Sequence, residues 1–385
     1  MSFNRFVKSI EESASIKALE KFKKLQSEGK DVIGLTVGEP DFDTPSLIVD
    51  AAIKELKGGN THYSVGKGDL ELRILISKKL KEDNHIFYDP DCIIVTPGAK
   101  TAIFATIMAC INPGDEVMIP SPSWVSYFEM VKAIGGVPVE VDLSINENYS
   151  ITKGILEKYF SNKTKMLIIN SPNNPTGHVL SKKEVAEIKD FVKDKEIFLI
   201  SDEIYEKIIF DSVVNFSLAS DKELYNKTIT INGFSKTYAM TGWRIGYLAG
   251  PKPIVSIINK LCSHLFTGVS PFIQKACCLA FNCNDEVERM KKEYEERKTA
   301  FINELADCPN ISIYNPSGTF YVWIKGKGMC SFADLLFEHT GVLGVSGTTY
   351  GKAFDDCVRF SMTKDQSTLI EAAKRIKAFL LMKNN

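Results

Sequence analysis

Short apolar runs alternate with longer stretches of helical periodicity through the middle of the chain, from about Pro45 to Ala280. The clearest runs cover residues 92–96, 116–120, 166–170, 197–201 and 228–232. Each is nearly continuous in Ile, Val, Leu and similar residues, without the polar alternation of a half-exposed strand. Strands buried on both faces of a parallel sheet have this character. Between them, residues 102–111 form an apolar helical stretch, and Ser181-Lys-Lys-Glu184 is a capping box that opens the helix before the run at Ile197. Upstream, residues 13–30 place Ile16, Leu19, Phe22 and Leu25 near helical spacing with lysines between them. Downstream, residues 284–306 are long and charged and predict a connecting helix. Residues 307–385 mix short strands with an amphipathic helix from Gln366. The pattern predicts an α/β fold with a large, mostly parallel central sheet flanked by helices. A chain of 385 residues also exceeds the ~250–300 at which single cores stop growing, so a second, smaller packed region is expected.

Composition narrows the partner. With 47 basic and 48 acidic residues the formal net charge is -1, which offers no general attraction for nucleic acid or an anionic membrane. A small-molecule partner fits better. The first ten residues carry no apolar signal core, and no run approaches the ~18 apolar residues of a membrane helix. Nine scattered cysteines, an odd number, do not suggest a disulfide framework. Cys277, Cys278 and Cys283 lack C-x-x-C spacing, and His264 is the nearest histidine, so a buried helical face is expected there rather than a metal site. The chain reads as cytoplasmic and reduced.

Ligands of open parallel sheets sit beyond the carboxyl ends of the strands, and there the chain collects its polar residues. After Thr96 come Pro-Gly98-Ala-Lys-Thr101, a tight turn into a helix whose free N–H groups favour a phosphate. After Pro120 come Ser121-Pro-Ser123 and Trp124, a flat surface able to stack on a ring. After Asn170 comes Ser-Pro-Asn-Asn174-Pro-Thr-Gly177, which presents an amide. After Ser201 come Asp202, Glu203 and Tyr205, and after Asn232 come Gly-Phe-Ser235-Lys236. Each feature alone has a plainer structural reading: a connecting turn, an N-cap, a packed Trp, a solvated lysine. Their convergence on one edge favours a site, although spacing does not make the lysine a nucleophile. Gly66-Lys-Gly68 lacks the third glycine of a dinucleotide fingerprint, and there is no phosphate-loop, H-E-x-x-H or G-x-S-x-G motif.

The segment Ser235-Lys-Thr-Tyr-Ala-Met-Thr-Gly-Trp-Arg-Ile-Gly-Tyr247 closely resembles class I (fold-type I) pyridoxal-phosphate aminotransferases, most of all the bacterial aspartate aminotransferases. Six further motifs occur in order: Val37-Gly-Glu-Pro-Asp-Phe-Asp-Thr-Pro45, Val95-Thr-Pro-Gly-Ala-Lys100, Asn170 to Gly177, Ser201-Asp-Glu-Ile-Tyr205, Gly318-Thr-Phe-Tyr321 and Val358-Arg-Phe-Ser361. The resemblance spans nearly the whole chain. It implies a large cofactor-binding domain at 46–290 and a smaller α+β domain from 1–45 and 291–385. It also implies pyridoxal 5'-phosphate held as a Schiff base on Lys236, with ping-pong exchange of an amino group between an L-amino acid and a 2-oxo acid. By the same resemblance Lys236 moves the proton at the substrate Cα, and Asp202 pairs with the pyridine nitrogen. Asn174 and Tyr205 reach the phenolic oxygen, and Trp124 stacks on the ring. The backbone of Ala99 and Lys100, with Ser235 and Arg244, holds the phosphate. Arg359, helped by Asn174 and Gly38, takes the substrate α-carboxylate. Tyr63 matches a residue that reaches the neighbouring subunit's phosphate, which implies a homodimer with shared sites.

Lys100 also matches a lysine near the substrate's distal carboxylate in the bacterial aspartate branch, which favours aspartate with 2-oxoglutarate. Against this, Glu11 stands where the branch often has a lysine. Other readings are an aminotransferase for an aromatic, neutral or specialised biosynthetic amino acid, or a carbon–sulfur β-lyase. A transcription regulator built on this fold would need a DNA-binding module, and the roughly 30 residues before the first motif are too few and too neutral to hold one.

Overall fold

A computed structural model of the chain describes residues 3–12 and 14–382, without the side chains of residues 14–19 and 21. Seven strands form the central sheet in the order Ile93–Thr96, Gly246–Ala249, Thr228–Gly233, Phe198–Asp202, Thr164–Asn170, Glu116–Ser121 and Val137–Asp142. All run parallel except Gly246–Ala249, which is antiparallel to both of its neighbours. The five expected runs are all strands, shifted by a residue or two at their ends. Successive side chains of a strand point to opposite faces. Accordingly Ile93 and Val95 enter the core beneath the helices Ser46–Lys57, Leu70–Asn84 and Pro271–Ala280. Ile94, Ile168 and Ile200 enter the opposite core, with Ile103 and Ile107 of the helix Ala99–Cys110. Both faces are dry, which is why the runs read as continuous.

Two strands have no apolar run to mark them. Val137–Asp142 is an edge strand with partly exposed positions, so Pro138, Glu140 and Asp142 are tolerated. Gly246–Ala249 is only 4 residues long. The apolar stretch expected at 102–111 begins earlier, at Ala99, because Gly98 serves as N-cap.

A second, antiparallel sheet has the order Val345–Ser346, Cys357–Ser361, Tyr321–Gly326 and Ile311–Tyr314. Val322, Ile324, Val358 and Phe360 pack there against Leu369 and Ile376 of the helix Gln366–Met382. The long helix Asn284–Leu305 serves both regions: Val287, Met290 and Tyr294 join the core of the large sheet, and Phe301 and Leu305 that of the small one. Helix Ala14–Ser27 covers most of the amphipathic N-terminal stretch, and the expected positions of Ile16 and Leu19 lie outside the described side chains. The capping box at Ser181 and Glu184 forms as expected. Cys277 and Cys278 are buried on one helix, whereas Cys283 is buried at the N-cap of the next, so the three do not share a single helical face. No helix among the described residues is long and apolar enough to cross a membrane.

Candidate active site

The carboxyl ends of the parallel strands and the start of the antiparallel one meet on the same edge, since Thr96 and Gly233 both pair with Gly246. A cavity of about 630 Å3 opens there.

One end of it is built from close backbone approaches. Gly98 has φ of 83°, and a Cβ on it would lie 2.7 Å from Arg244 Nη2. A Cβ on Gly246 would lie 2.5 Å from the Ala99 nitrogen. Two glycines therefore let the first turn of the helix, with the N–H groups of Ala99 and Lys100, come against the Arg244 guanidinium. Arg244 Nη1 donates to the Thr241 carbonyl at 2.8 Å, which holds the fork in place. Helix N-terminus and cation together make an anion cradle. Ser235 lines the same cavity.

At its centre are Asp202 and Lys236. Asp202 is buried; its Oδ2 accepts from Tyr127 Oη at 2.5 Å and its Oδ1 from the Ile204 N–H at 3.2 Å. Burial pushes its carboxyl up to about 6, against the pull of the Tyr127 hydrogen bond, the Ile204 N–H and the Lys236 charge. Lys236 Nζ donates to the Gly38 carbonyl at 2.6 Å. Burial brings its amine down to about 8; Glu39 opposes this, and Arg359, Arg244 and Lys100 add to it. Trp124 forms one wall, edge-on to Tyr127 with ring centroids 5.2 Å apart. The Lys100 ammonium lies 4.9 Å from the Trp124 ring centroid, its pKa lowered by burial and by Arg244.

The far end is formed by the second sheet. Arg359 is buried; Nη1 donates to Asn174 Oδ1 at 2.9 Å and Nη2 to the Thr36 carbonyl at 2.8 Å. Its Nε has no hydrogen-bond partner among the described residues, a costly arrangement for a buried donor unless a ligand supplies the acceptor. Asn174 uses its oxygen on Arg359, which leaves its NH2 group for the cavity. Tyr205 Oη lies 3.0 Å from Tyr321 Oη.

Of the residues named from sequence, Gly38, Ala99, Lys100, Trp124, Asn174, Asp202, Tyr205, Ser235, Lys236, Arg244 and Arg359 all line this cavity. Tyr63 does not; it is 93% exposed and borders a separate hollow near Thr267. Glu11 is also outside: it is exposed, and its N–H donates to Glu129 at 2.8 Å. The N-terminal segment is thereby tied to the helix Ser126–Ala133, and Glu11 is not among the residues that line the cavity. Glu39, Tyr127 and Tyr321 are lining residues that sequence reasoning missed. Tyr321 stood inside a quoted motif, and Tyr127 lies one helical turn after Trp124; these were the available signals.

Four cations against two carboxylates, with a helix start, describe a site for a ligand bearing phosphate and carboxylate groups. Residues 30–376 match the family described as aminotransferase class I and II. The chain belongs to this family. An aspartate aminotransferase of Musicola paradisiaca is 38% identical, over 96% of this chain and 94% of that one. The solved aspartate aminotransferase of Thermus thermophilus with maleate superposes with a TM-score of 0.93 at 34% identity, covering 99% of this chain and 100% of the other. The aromatic aminotransferase of Pyrococcus horikoshii does so at 0.89 and 39%, covering 94% and 99%. This aminotransferase depends on pyridoxal phosphate, and its cavity fits that cofactor. The anion cradle suits the phosphate, the buried carboxylate a ring nitrogen, and the amine of lowered pKa an aldehyde.

Proposed function

We propose that this aminotransferase exchanges the amino group of aspartate with 2-oxoglutarate. The observation that carries the reading is the placement of the Lys236 amine in one cavity with the Asp202 carboxylate and the Arg359 fork. When bound, pyridoxal phosphate supplies an aldehyde to capture the amine and a ring that accepts the electron pair left at the substrate Cα. Lys236 would hold the aldehyde and, when released by substrate, would carry the proton to and from the substrate Cα. An amine brought down to about 8 keeps a substantial neutral fraction near neutral pH, as a general base requires.

Asp202 would hold a protonated ring nitrogen, and its carboxylate would be favoured in the charged form beside that cation. Trp124 covers the ring, and Tyr205 with the Asn174 NH2 group faces the phenolic oxygen. Ala99, Lys100, Ser235 and Arg244 hold the phosphate. Arg359 meets the substrate α-carboxylate with its planar fork, and the Gly38 backbone borders the same group. Lys100 faces the distal carboxylate. The aspartate aminotransferases among the relatives support this choice of substrate.

A second reading, with an aromatic donor, draws on the P. horikoshii relative and on the Lys100 ammonium lying over Trp124. There the ammonium is engaged with Trp124, whose ring gives the pocket an aromatic wall.

The assembly we propose is a cytoplasmic homodimer in which Tyr63 completes the partner's phosphate site. Exposed Leu47, Leu56, Val65, Leu70 and Ile74 surround Tyr63 in sequence and support a buried interface. We propose a cofactor-binding domain at 46–290 and a small domain at 1–45 with 291–385. A panel of single amino acids mixed with the holoenzyme tests the substrate: aspartate and glutamate should convert the cofactor absorbance to that of its amine form fastest. Faster conversion by tyrosine or phenylalanine would select the second reading.

A further inference from the structure

Tyr321 lies between two parts of the site that act on different ligands. It is 1% exposed and begins the strand Tyr321–Gly326. Arg359 pairs directly with Trp323 across that strand, and Tyr321 pairs with Ser361. Tyr321 is thus the diagonal neighbour of Arg359 on the same face, within reach for an aromatic ring. The Arg359 guanidinium carbon stands 4.1 Å from the Tyr321 ring centroid, nearer than its 5.3 Å to Tyr350 on another side. At its other end the Tyr321 hydroxyl meets Tyr205 Oη at 3.0 Å. The same hydroxyl lies where a Cβ on Gly38 would come within 2.7 Å of it.

We propose that Tyr321 is a positioning residue with two separable tasks: its ring fixes the Arg359 fork for the substrate carboxylate, and its hydroxyl tunes the Tyr205 phenol that faces the cofactor. The inference rests on the roles given above to Arg359 and Tyr205. A desolvated guanidinium over an aromatic face is held by the ring quadrupole, so the fork is set before substrate arrives. The hydroxyl contact works through donor strength. Burial pushes both phenols up and the Arg359 charge pulls both back; the guanidinium lies against the Tyr321 ring, which makes the Tyr321 O–H the better donor. With the cofactor's phenolic oxygen in front of Tyr205, the favourable arrangement has Tyr321 donating to Tyr205 and Tyr205 donating onward. Such a chain strengthens the terminal hydrogen bond. With the cofactor bound, that bond would withdraw charge from the phenolic oxygen and ease loss of the proton held beside it, so weakening the bond would raise the pH midpoint of the cofactor's absorbance.

The test uses holoenzyme with Tyr321→Phe and Tyr321→Leu. Phe keeps the ring and removes the hydroxyl; Leu removes both. Two quantities are read besides turnover: the affinity for maleate by calorimetry, and the pH midpoint of the bound cofactor's visible absorbance. Tyr321→Phe should raise the midpoint by about half a unit to one unit with maleate affinity within about threefold of wild type. Tyr321→Leu should raise the midpoint similarly and weaken maleate by roughly tenfold or more. An unmoved midpoint in the Phe variant, or maleate affinity retained by the Leu variant, overturns the proposal. Wild type with neither a titrating absorbance nor maleate binding would overturn the assignment of the site itself, a failure visible before any variant is made.

Discussion

Tyr127 donates a 2.5 Å hydrogen bond to the Oδ2 of Asp202, in a place closed to solvent. A phenol donor favours the charged carboxylate and offsets part of the desolvation that pushes Asp202 up to about 6. Removing that donor in Tyr127→Phe should raise the Asp202 pKa further and weaken its hold on a protonated ring nitrogen. Apoenzyme titrated with pyridoxal phosphate is expected to show roughly tenfold weaker binding for the variant, the equivalent of about 1.4 kcal/mol. Equal affinity would remove Tyr127 from cofactor binding. Asp202→Ala, which removes the partner altogether, should slow turnover by several orders of magnitude.

The proposed function turns on the Lys236 amine. Lys236→Ala should leave the fold and noncovalent cofactor binding largely intact. Amino transfer should fall on the order of 1,000-fold or more. Borohydride reduction of wild type followed by peptide mapping is expected to place the cofactor mass on the peptide containing Lys236. A labelled peptide elsewhere in the chain would refute the assignment.

In the proposed function Lys100 separates substrates rather than steps. If its ammonium leaves Trp124 to meet a distal carboxylate, Lys100→Ala should reduce kcat/KM for aspartate by roughly 100-fold, about 2.7 kcal/mol, and that for alanine far less. Equal losses on both would indicate that the residue serves the phosphate end or the fold.

Behind the site, Glu203 is buried with Oε1 accepting from Ser201 Oγ at 2.7 Å and Oε2 from Ser217 Oγ at 2.6 Å. Burial, reinforced by the nearby Glu206, pushes it up to about 7 from an ordinary 4.5. The folded state then binds this proton more tightly than the unfolded one. The stabilisation is complete below pH 4.5 and is lost as pH rises through 7. Glu203→Gln, which carries no charge, should therefore gain stability relative to wild type as pH goes from 5 to 8, by about 2–3 kcal/mol. Thermal denaturation of both proteins across that range measures it. A melting difference that stays constant with pH would contradict the argument.

The parallel core was legible because burial on two faces demands apolar residues at every position, as at Ile93, Ile94 and Val95. The edge strand Val137–Asp142 was not, since an edge can carry Pro138 and Glu140. The site was legible where strand ends carry residues of marked chemistry, such as Asp202, Lys236 and Arg359. Tyr127 and Tyr321 escaped because each is an ordinary buried aromatic until its hydroxyl partner, 75 or 116 residues away, is placed beside it. Glu39 escaped for a similar reason: its place at the cavity is fixed by the Thr241 hydroxyl, 202 residues away, which donates to it at 2.8 Å. Tyr63 lies on the outer surface, and the cross-subunit role proposed for it rests on the resemblance and on its apolar surroundings.

The lone antiparallel strand has a geometric consequence. Because Gly246–Ala249 runs against its neighbours, the chain leaves the active edge at Gly233 and returns to that edge at Gly246. Residues 234–245 form a closed excursion carrying both Lys236 and Arg244. In the proposed function the stretch works as a ruler: it sets the span between an amine and a guanidinium that hold the same cofactor. An insertion or deletion within it would spoil both grips together, whereas loops beyond other strand ends can vary one contact at a time.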